Sequence, residues 1–279
     1  MPQQVTNIKK RIASIKGAYK ITSAMKLIST VKLKKWRKIM LDNKQYTNEL
    51  SGIVNEIFKY MDEVNSPYFE VNNKTDKKLY IIISSTLGLC GSYNNNILRL
   101  ADQNITPKDD IIVLGGKGIS HFEDSENDKL DGFEDTSSAS ESKLIKKLLG
   151  LITSKYESKE YQEIHLIYSE YVNALAFRAK DVTLLPIKKS EEVGLLPPIM
   201  EPSKSALIEK LVPIYLKSNL YSKILESEVC EQASRSNAME NATKNAEELL
   251  DQLNIEFNKA RQGAITQEII EIVACSQNV

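Results

Sequence analysis

Between residues 238 and 264 the apolar side chains recur at steps of three and four: Ala238, Ala242, Ala246, Leu249, Leu253, Phe257, Ala260 and Ala264. That spacing draws one stripe along an α-helix, and a stripe this narrow predicts a seam with a single other helix. Its alanines permit close approach at one end, while the leucines and Phe257 fill more space near the middle. Near the other end of the chain Ile8, Ile12, Ile15 and Tyr19 keep the same rhythm, and Ala24, Ile28 and Val31 are expected to resume it slightly rotated. Proline placement permits both helices. All eight prolines lie between Pro2 and Pro213, with none in 3–66, and a proline inside a helix costs roughly 3 kcal/mol. Only Gly17 and Gly52 interrupt the first stretch and Gly263 the second; the other eight glycines fall between them. A helix of about 60 residues is about 90 Å long, so such an element is expected to project beyond a compact domain.

The middle changes period. Lys78–Ser85 (KLYIIISS), Asp110–Leu114 (DIIVL), Glu163–Tyr168 (EIHLIY) and Thr183–Ile187 (TLLPI) are short apolar runs suited to buried strands. Helices are expected between them at Asn94–Ala101 and Glu141–Glu157, the latter offering Leu144, Ile145, Leu148, Leu149 and Ile152 to a sheet. Glu123–Ser142, rich in Asp, Glu and Ser, reads as a surface loop without an assigned role. The predicted fold is α/β plus long α: an antiparallel coiled coil of N- and C-terminal helices (1–66 and 204–279) with an inserted Rossmann-like α/β domain (67–203).

Charge sharpens the pairing. Net charge is zero, yet residues 1–40 carry eleven Lys or Arg and no acid, whereas from Ile224 onward ten acids face four bases. Opposite signs on two long helices select partner and orientation more than they stabilise. No apolar run approaches the roughly 20 residues of a membrane span, and Met1–Lys10 holds no signal-peptide core, so a cytosolic protein is expected, reaching a membrane only through a partner. Cys90, Cys230 and Cys275 are too few for a disulfide framework and, with His121 and His165, show no metal-ligand spacing.

Candidate chemistry is sparse. Gly88-Leu-Cys-Gly91 and Gly115-Gly-Lys-Gly118 each follow a strand, but neither has the GxGxxG or GxxxxGK[ST] order that cradles phosphate, so both read as strand-to-helix turns. Cys90 reads as a buried structural thiol, and both histidines as packing or surface residues, since no acid or nucleophile can be assigned to either. The basic first helix is an electrostatic footprint that nucleic acid or an acidic membrane surface would fit. An oppositely charged partner helix in the same chain argues against that, and Trp36 among Lys34, Lys35 and Arg37 is expected to anchor helix packing.

Several ordered segments carry a resemblance. RIASIKGAYKITSAMKLISTVKLKK at Arg11–Lys35, GLCGSYN at Gly88–Asn94, LKSNLYSKILE at Leu216–Glu226, EQASRSNAMENATKNA at Glu231–Ala246 and ARQGAITQEIIEIV at Ala260–Val273 are similar, in order, to the γ subunit of the F1-type rotary ATPases, the central shaft of ATP synthase. The resemblance implies a non-catalytic rotor inside a hexamer of α and β subunits (α3β3). It implies further an ε subunit and a membrane c-ring as neighbours of the α/β domain, a place on the cytoplasmic face of the cell membrane, and no direct insertion. It implies that this chain binds no cofactor, ATP, ADP and Mg being held by the partner subunits, and no nucleic acid. By motif position Met25 and Lys26 would lie near the lever loops of β, and Arg235, Arg261, Gln262, Thr266 and Glu268 would contact the surrounding loops.

Two departures stand out. Thr86-Leu87 replaces an Asp-Arg pair common in the family, and Ala274-Cys275-Ser276 replaces its small Ser-Gly-Ala tip. They motivate an alternative: the shaft of a paralogous F1-like motor in a wall-less bacterium, driving mechanical work such as gliding. A nucleotide-binding enzyme and a coiled-coil nucleic-acid adaptor remain as readings of other classes; the first requires nucleotide binding by the chain alone, the second steeply salt-dependent binding.

Overall fold

A computed structural model of the chain describes residues 3–59, 66–130, 142–173, 176–187, 201 and 203–276. Helix α1 spans Gln3–Phe58 and helix α5 spans Lys204–Ser276. The chain divides into two compact units, Met1–Thr30 with Arg235–Val279, and Val31–Ser234.

In the first unit α1 and α5 run antiparallel. The Thr22 and Thr243 hydroxyls lie 2.9 Å apart, those of Thr30 and Ser236 3.1 Å apart, and Lys26 Nζ stands 3.6 Å from Glu240 Oε1. As residue numbers rise along α1 they fall in step along α5, so a single register satisfies all three contacts. Val5 and Ile8 are buried, Ile12, Ile15 and Tyr19 half-buried, and the same side continues through Thr22, Met25 and the buried Ser29. Facing them, α5 buries Met239 and Leu253 and half-buries Ala238, Ala242, Ala246, Leu249, Phe257, Ala260 and Ala264, the stripe expected from the sequence.

One expectation fails. Ala24, Ile28 and Val31 do not resume the seam; all three are exposed, Ile28 at 56 % and Val31 at 63 %. At about 100° per residue Ile28 stands roughly 200° around the helix from Ile8, on the opposite side. The seam is continued instead by polar Thr22 and Ser29, which a search for apolar residues passes over.

The second unit is built on a mixed four-stranded sheet of β1 (Lys78–Ile83), β2 (Asp110–Leu114), β3 (Glu163–Tyr171) and β4 (Phe177–Leu185), in the order β2-β1-β3-β4. Strand β1 runs parallel to both β2 and β3, and β4 returns antiparallel to β3. Alternation sends Leu79, Ile81, Ile83, Leu166 and Tyr168 to one face, where they pack with Ile145, Leu148 and Ile152 of α4 (Ser142–Glu157), Val54 of α1, and Ile208, Val212, Leu216 and Leu220 of α5. Tyr80, Ile82, Ile111 and Ile167 face the other way, against Tyr93, Ile97 and Ala101 of α2 (Tyr93–Asn104) and against Cys90 and Cys230. A short helix, α3 (Gly116–His121), follows β2.

Helix α5 begins at Lys204, upstream of Pro213, and runs through it. Burial of Ile208, Val212 and Leu216, each at most 4 % exposed, offsets the roughly 3 kcal/mol a helix-interior proline costs. Strand β4 starts at Phe177 rather than Thr183: its first half, FRAKD, alternates at a sheet edge and so lacks the apolar run that marks a buried strand. Of the acidic stretch, Asp128–Leu130 lies beside β2, Ile111 N donating to Asp128 O and Leu130 N to Ile111 O; residues 131–141 fall outside the described residues.

His165 on β3 fastens three strands. Its Nδ1 lies 2.9 Å from Asp181 of β4 and its Nε2 3.0 Å from Glu163, whose other partner is Lys78 of β1 at 2.6 Å; the ring stacks on Tyr80 at 4.9 Å. Burial alone would lower the histidine's pKa, but hydrogen bonds to Asp181 and Glu163 outweigh it and hold the pKa above the usual 6.5.

Two expected outcomes follow from this packing. Leu253→Ala should cost about 2–4 kcal/mol of unfolding free energy, whereas Ile28→Ala should stay within about 0.5 kcal/mol; comparable losses from both in urea unfolding would contradict the assigned seam. A raised histidine pKa contributes stability that is complete below about pH 6.5 and is lost as pH rises through the raised value. Urea unfolding between pH 6 and 9 should therefore show the unaltered chain losing on the order of 1 kcal/mol more than His165→Gln, and parallel curves would refute the clasp. Glu228, raised to about 7 by burial and then by Glu231 against the pull of Lys32 and Lys35, destabilises in the same direction, so the comparison with the variant isolates His165.

Candidate functional site

The glycine turns come first, because they decide whether the sheet holds a phosphate. Ser84 Oγ, just past β1, accepts from Gly118 N at 2.9 Å and donates to Leu114 O at 2.8 Å, while Lys117 N donates to Ser85 O at 3.0 Å. Two amides of α3's first turn, those of Lys117 and Gly118, are thus spent inside the fold. Gly115 has φ 98°, and a Cβ there would stand 2.3 Å from Ser84 O; a Cβ on Gly118 would meet Val113 Cγ1 at 2.6 Å and Ser84 Oγ at 2.7 Å. These glycines serve close packing of two strand ends. In the other cluster Ser85 N donates to Asn94 Oδ1 at 3.0 Å and Asn94 Nδ2 to Ser85 Oγ at 2.7 Å, around a Cys90 that is 2 % exposed, a buried thiol as expected.

The histidines correct the sequence reading. Each has an acid partner that sequence distance hides: His121 Nε2 lies 2.9 Å from Asp102, and His165 sits between Asp181 and Glu163. A cleft of about 690 Å³ lies between residues 66–68, α4 and α5. Its lining includes Pro67, Leu149, Ile208 and Pro213, and of its two carboxylates, Glu157 and Glu209, the first accepts the Tyr68 hydroxyl. Among the described residues no group of three or more His, Cys, Asp or Glu is arranged to hold a metal ion, and no helix is long and apolar enough to cross a membrane.

The residues singled out by motif fall into two groups in the first unit. Met25 and Lys26 are half-buried on α1, with Lys26 directed at Glu240; Arg235, on α5, is only 7 % exposed. Arg261, Gln262, Thr266 and Glu268 are exposed, and Thr266 Oγ1 donates to Gln262 O at 2.9 Å within the helix. Along α5 the groups stand roughly 40 Å apart at 1.5 Å per residue. Extending the seam register leaves α5 beyond Gly263 without a turn of the described α1 beside it.

Sequence reasoning overlooked the most telling surface of this unit. Ile21, Leu27 and Ile28 on α1 are 56–66 % exposed, and Ile265, Ile269, Ile270 and Ile272 on α5 are 47–69 % exposed. Large branched side chains at that density on a two-helix element mark a surface that something else covers. The signal was present in the primary structure as a second apolar stripe on α1, read there as part of the first.

Comparison with known proteins agrees with the architecture. The ATP synthase family profile matches residues 4–279. The chain is 38 % identical to the ATP synthase gamma chain of Clostridium acetobutylicum, over 95 % of each chain, and 35 % identical to that of Mycoplasma mycoides subsp. mycoides, over 96 % of each. The chain belongs to the ATP synthase gamma-chain family. Its fold is also that of the rotor of Euglena gracilis mitochondrial ATP synthase, with a TM-score of 0.65 at 21 % identity, covering 94 % of this chain and 99 % of that one. For a gamma-family chain, two long helices pairing in one register and an α/β unit whose glycine turns pack closely against strand ends form a consistent whole.

Two glycine substitutions separate packing from mere flexibility. Gly118→Ala forces contacts under 3 Å against Val113 and Ser84 and should cost about 1–3 kcal/mol. Gly150→Ala, in mid-α4 with nothing within 4 Å of the added methyl, should stabilise by up to about 1 kcal/mol. Thermal unfolding of both variants checks this, and a neutral Gly118→Ala would refute the close approach.

Proposed function

We propose that this chain is the central-stalk rotor subunit of an F-type ATP synthase, coupling ion flow through a membrane ring to ATP synthesis or hydrolysis on surrounding α and β subunits. The observation that carries the reading is the first unit: a two-helix element in fixed register, with apolar and uncharged polar side chains turned outward instead of into a core of its own. A shaft turning inside a hexamer presents different faces to successive subunits and so biases each among states of different nucleotide affinity, which is coupling delivered mechanically. Such a role calls for stiffness rather than a pocket. Nucleotide and Mg are held by the partners, and the chain itself performs no bond chemistry.

In this reading Ile21, Leu27, Ile28 and the isoleucines after Gly263 meet the inner wall of the hexamer, Met25 and Lys26 face the lever loops of β, and Arg261, Gln262, Thr266 and Glu268 meet loops nearer the tip, while Arg235, only 7 % exposed in the chain itself, is withdrawn from that contact set. The α/β unit faces an ε subunit and the ring on the cytoplasmic side, so the chain is held at the membrane peripherally. The relatives reported above are synthase gamma chains by name, and no residue pattern in this chain favours a paralogous motor over them.

Purification of the tagged chain from its own cells, with mass spectrometry and an ATPase assay on the same fractions, tests the reading. Recovery with α, β, ε and ring subunits is expected; unfamiliar subunits in place of the ring, or no ATPase partner at all, would overturn it. Within that complex, Gln262→Ala with Thr266→Ala should lower torque or coupled turnover about three- to tenfold, the equivalent of one or two net hydrogen bonds, without changing the unfolding midpoint of the chain. Unchanged rotation and turnover would remove both residues from the interface.

A further inference from the structure

Strand β3 outlasts its neighbour. The parallel ladder pairs β1 with β3 only as far as Ile82 opposite Ile167, whereas β3 continues to Tyr171 with β4 on its other side. Past Ile83 the chain of β1 turns away toward Gly88, so the β3 backbone from Ser169 onward has no strand on that side. Buried amides and carbonyls left this way cost free energy unless another group meets them. Here the other group is α5. Ser169 N donates to Ser227 Oγ at 3.2 Å, Cys230 Sγ donates to Ser169 O at 3.4 Å, and Tyr171 N donates to Glu226 Oε1 at 3.0 Å. Ser234 Oγ donates to Cys90 O at 2.6 Å, and Ser227 Oγ lies 3.0 Å from the Tyr93 hydroxyl at the start of α2. Ser227, Cys230 and Ser234 recur at steps of three and four and therefore share one face of the helix; Ser227 and Cys230 are fully buried and Ser234 is 6 % exposed.

The location adds weight. The strand order places β2 and β3 on opposite sides of β1, so the switch point of this sheet lies at the carboxyl ends of β1 and β3, where open α/β sheets take their ligands. In this chain that crevice is filled by the side chains of α5, whose polar atoms answer the strand end in place of a ligand.

We propose that Glu226, Ser227, Cys230 and Ser234 are positioning residues that form a torsional clamp, stitching α5 into the open end of β3 so that a turn of the long helix turns the α/β unit with it. This rests on the rotor reading above. Apolar packing such as that of Ile224 in the core holds α5 against the unit but tolerates sliding; directional hydrogen bonds to fixed backbone atoms define an angle. The clamp therefore sets stiffness in twist rather than attachment.

The test uses the intact motor, immobilised through its hexamer, stalled without turnover, with a bead on the α/β unit. The variance of the bead's angle measures torsional stiffness directly. Ser227→Ala with Ser234→Ala should raise that variance at least about twofold while hydrolysis remains normal, and Ser227→Thr with Ser234→Thr, which keep the hydroxyls, should restore it. On the full chain alone, amide exchange at Ser169 and Tyr171 should be slow, and Ser227→Ala should speed exchange at Ser169 about fivefold, with little change at Leu166. Unchanged angular variance overturns the clamp, as does fast exchange at Ser169 and Tyr171 in the unaltered chain. A fall in melting temperature that the threonine variants fail to rescue, with variance unmoved, assigns these side chains to stability alone and likewise overturns it. Failure of the unaltered chain to assemble with any hexamer defeats the rotor reading instead, and the exchange result then still decides whether the stitching exists.

Discussion

A seam between two helices can bury only one narrow stripe of each, and that geometric limit governs what the first unit of this chain can be. Once Thr22, Lys26 and Thr30 are set against Thr243, Glu240 and Ser236, every other position on both helices is assigned to the seam or to the outside. The contacts are modest: Lys26 and Glu240 are both substantially exposed, and such pairs contribute little to stability. Their value lies in excluding slippage, because a shift of one residue would rotate the stripe by about 100° and carry Leu253 or Ile8 toward water. The cost of this economy is an outer surface with more branched apolar side chains than a free-standing protein tolerates well, and that surplus ties the chain to an assembly.

The second unit answers a different demand. Its sheet is packed on both faces, its sharpest turns are closed by glycines that admit Ser84, and the open end of β3 is met by hydroxyls, a thiol and a carboxylate of α5. At the turn after β2, Ser84 Oγ and the amides of Lys117 and Gly118 are engaged internally. Long helix and sheet are thereby joined through backbone atoms fixed in place, which suits a part that must transmit rotation rather than respond to a bound molecule.

Much of this was legible in the primary structure, and the misses have specific causes. The α5 stripe from Ala238 to Ala264 was readable because its seam positions are mostly apolar, Thr243 apart. On α1 the seam passes through Thr22 and Ser29 while Ala24, Ile28 and Val31 keep helical spacing on the far side, so hydrophobicity alone picked the wrong face. Strand β4 was recovered only in part because its edge half is polar. The partners of His165 lie on a neighbouring strand and two residues away on its own, a pairing that only strand register reveals. Met25, Lys26, Arg235, Arg261, Gln262, Thr266 and Glu268 were named from motif resemblance; of them only Gln262 and Thr266, uncharged polar residues beside Ala264, Ile265 and Ile269, stand out in the local sequence.

The central claim is that the outward face of α1 is covered by partner subunits and not by the chain itself. Its most direct measurement is the thiol-alkylation rate of Ile28→Cys, in a background where Cys275 is replaced by Ser, compared between the purified chain and the ATPase complex recovered from cells. Rapid labelling of the free chain and labelling slowed by at least about tenfold in the complex is the predicted result, since burial in a partner interface removes reagent access. Equal rates in the two states would place Ile28 in open solvent within the complex and contradict the account.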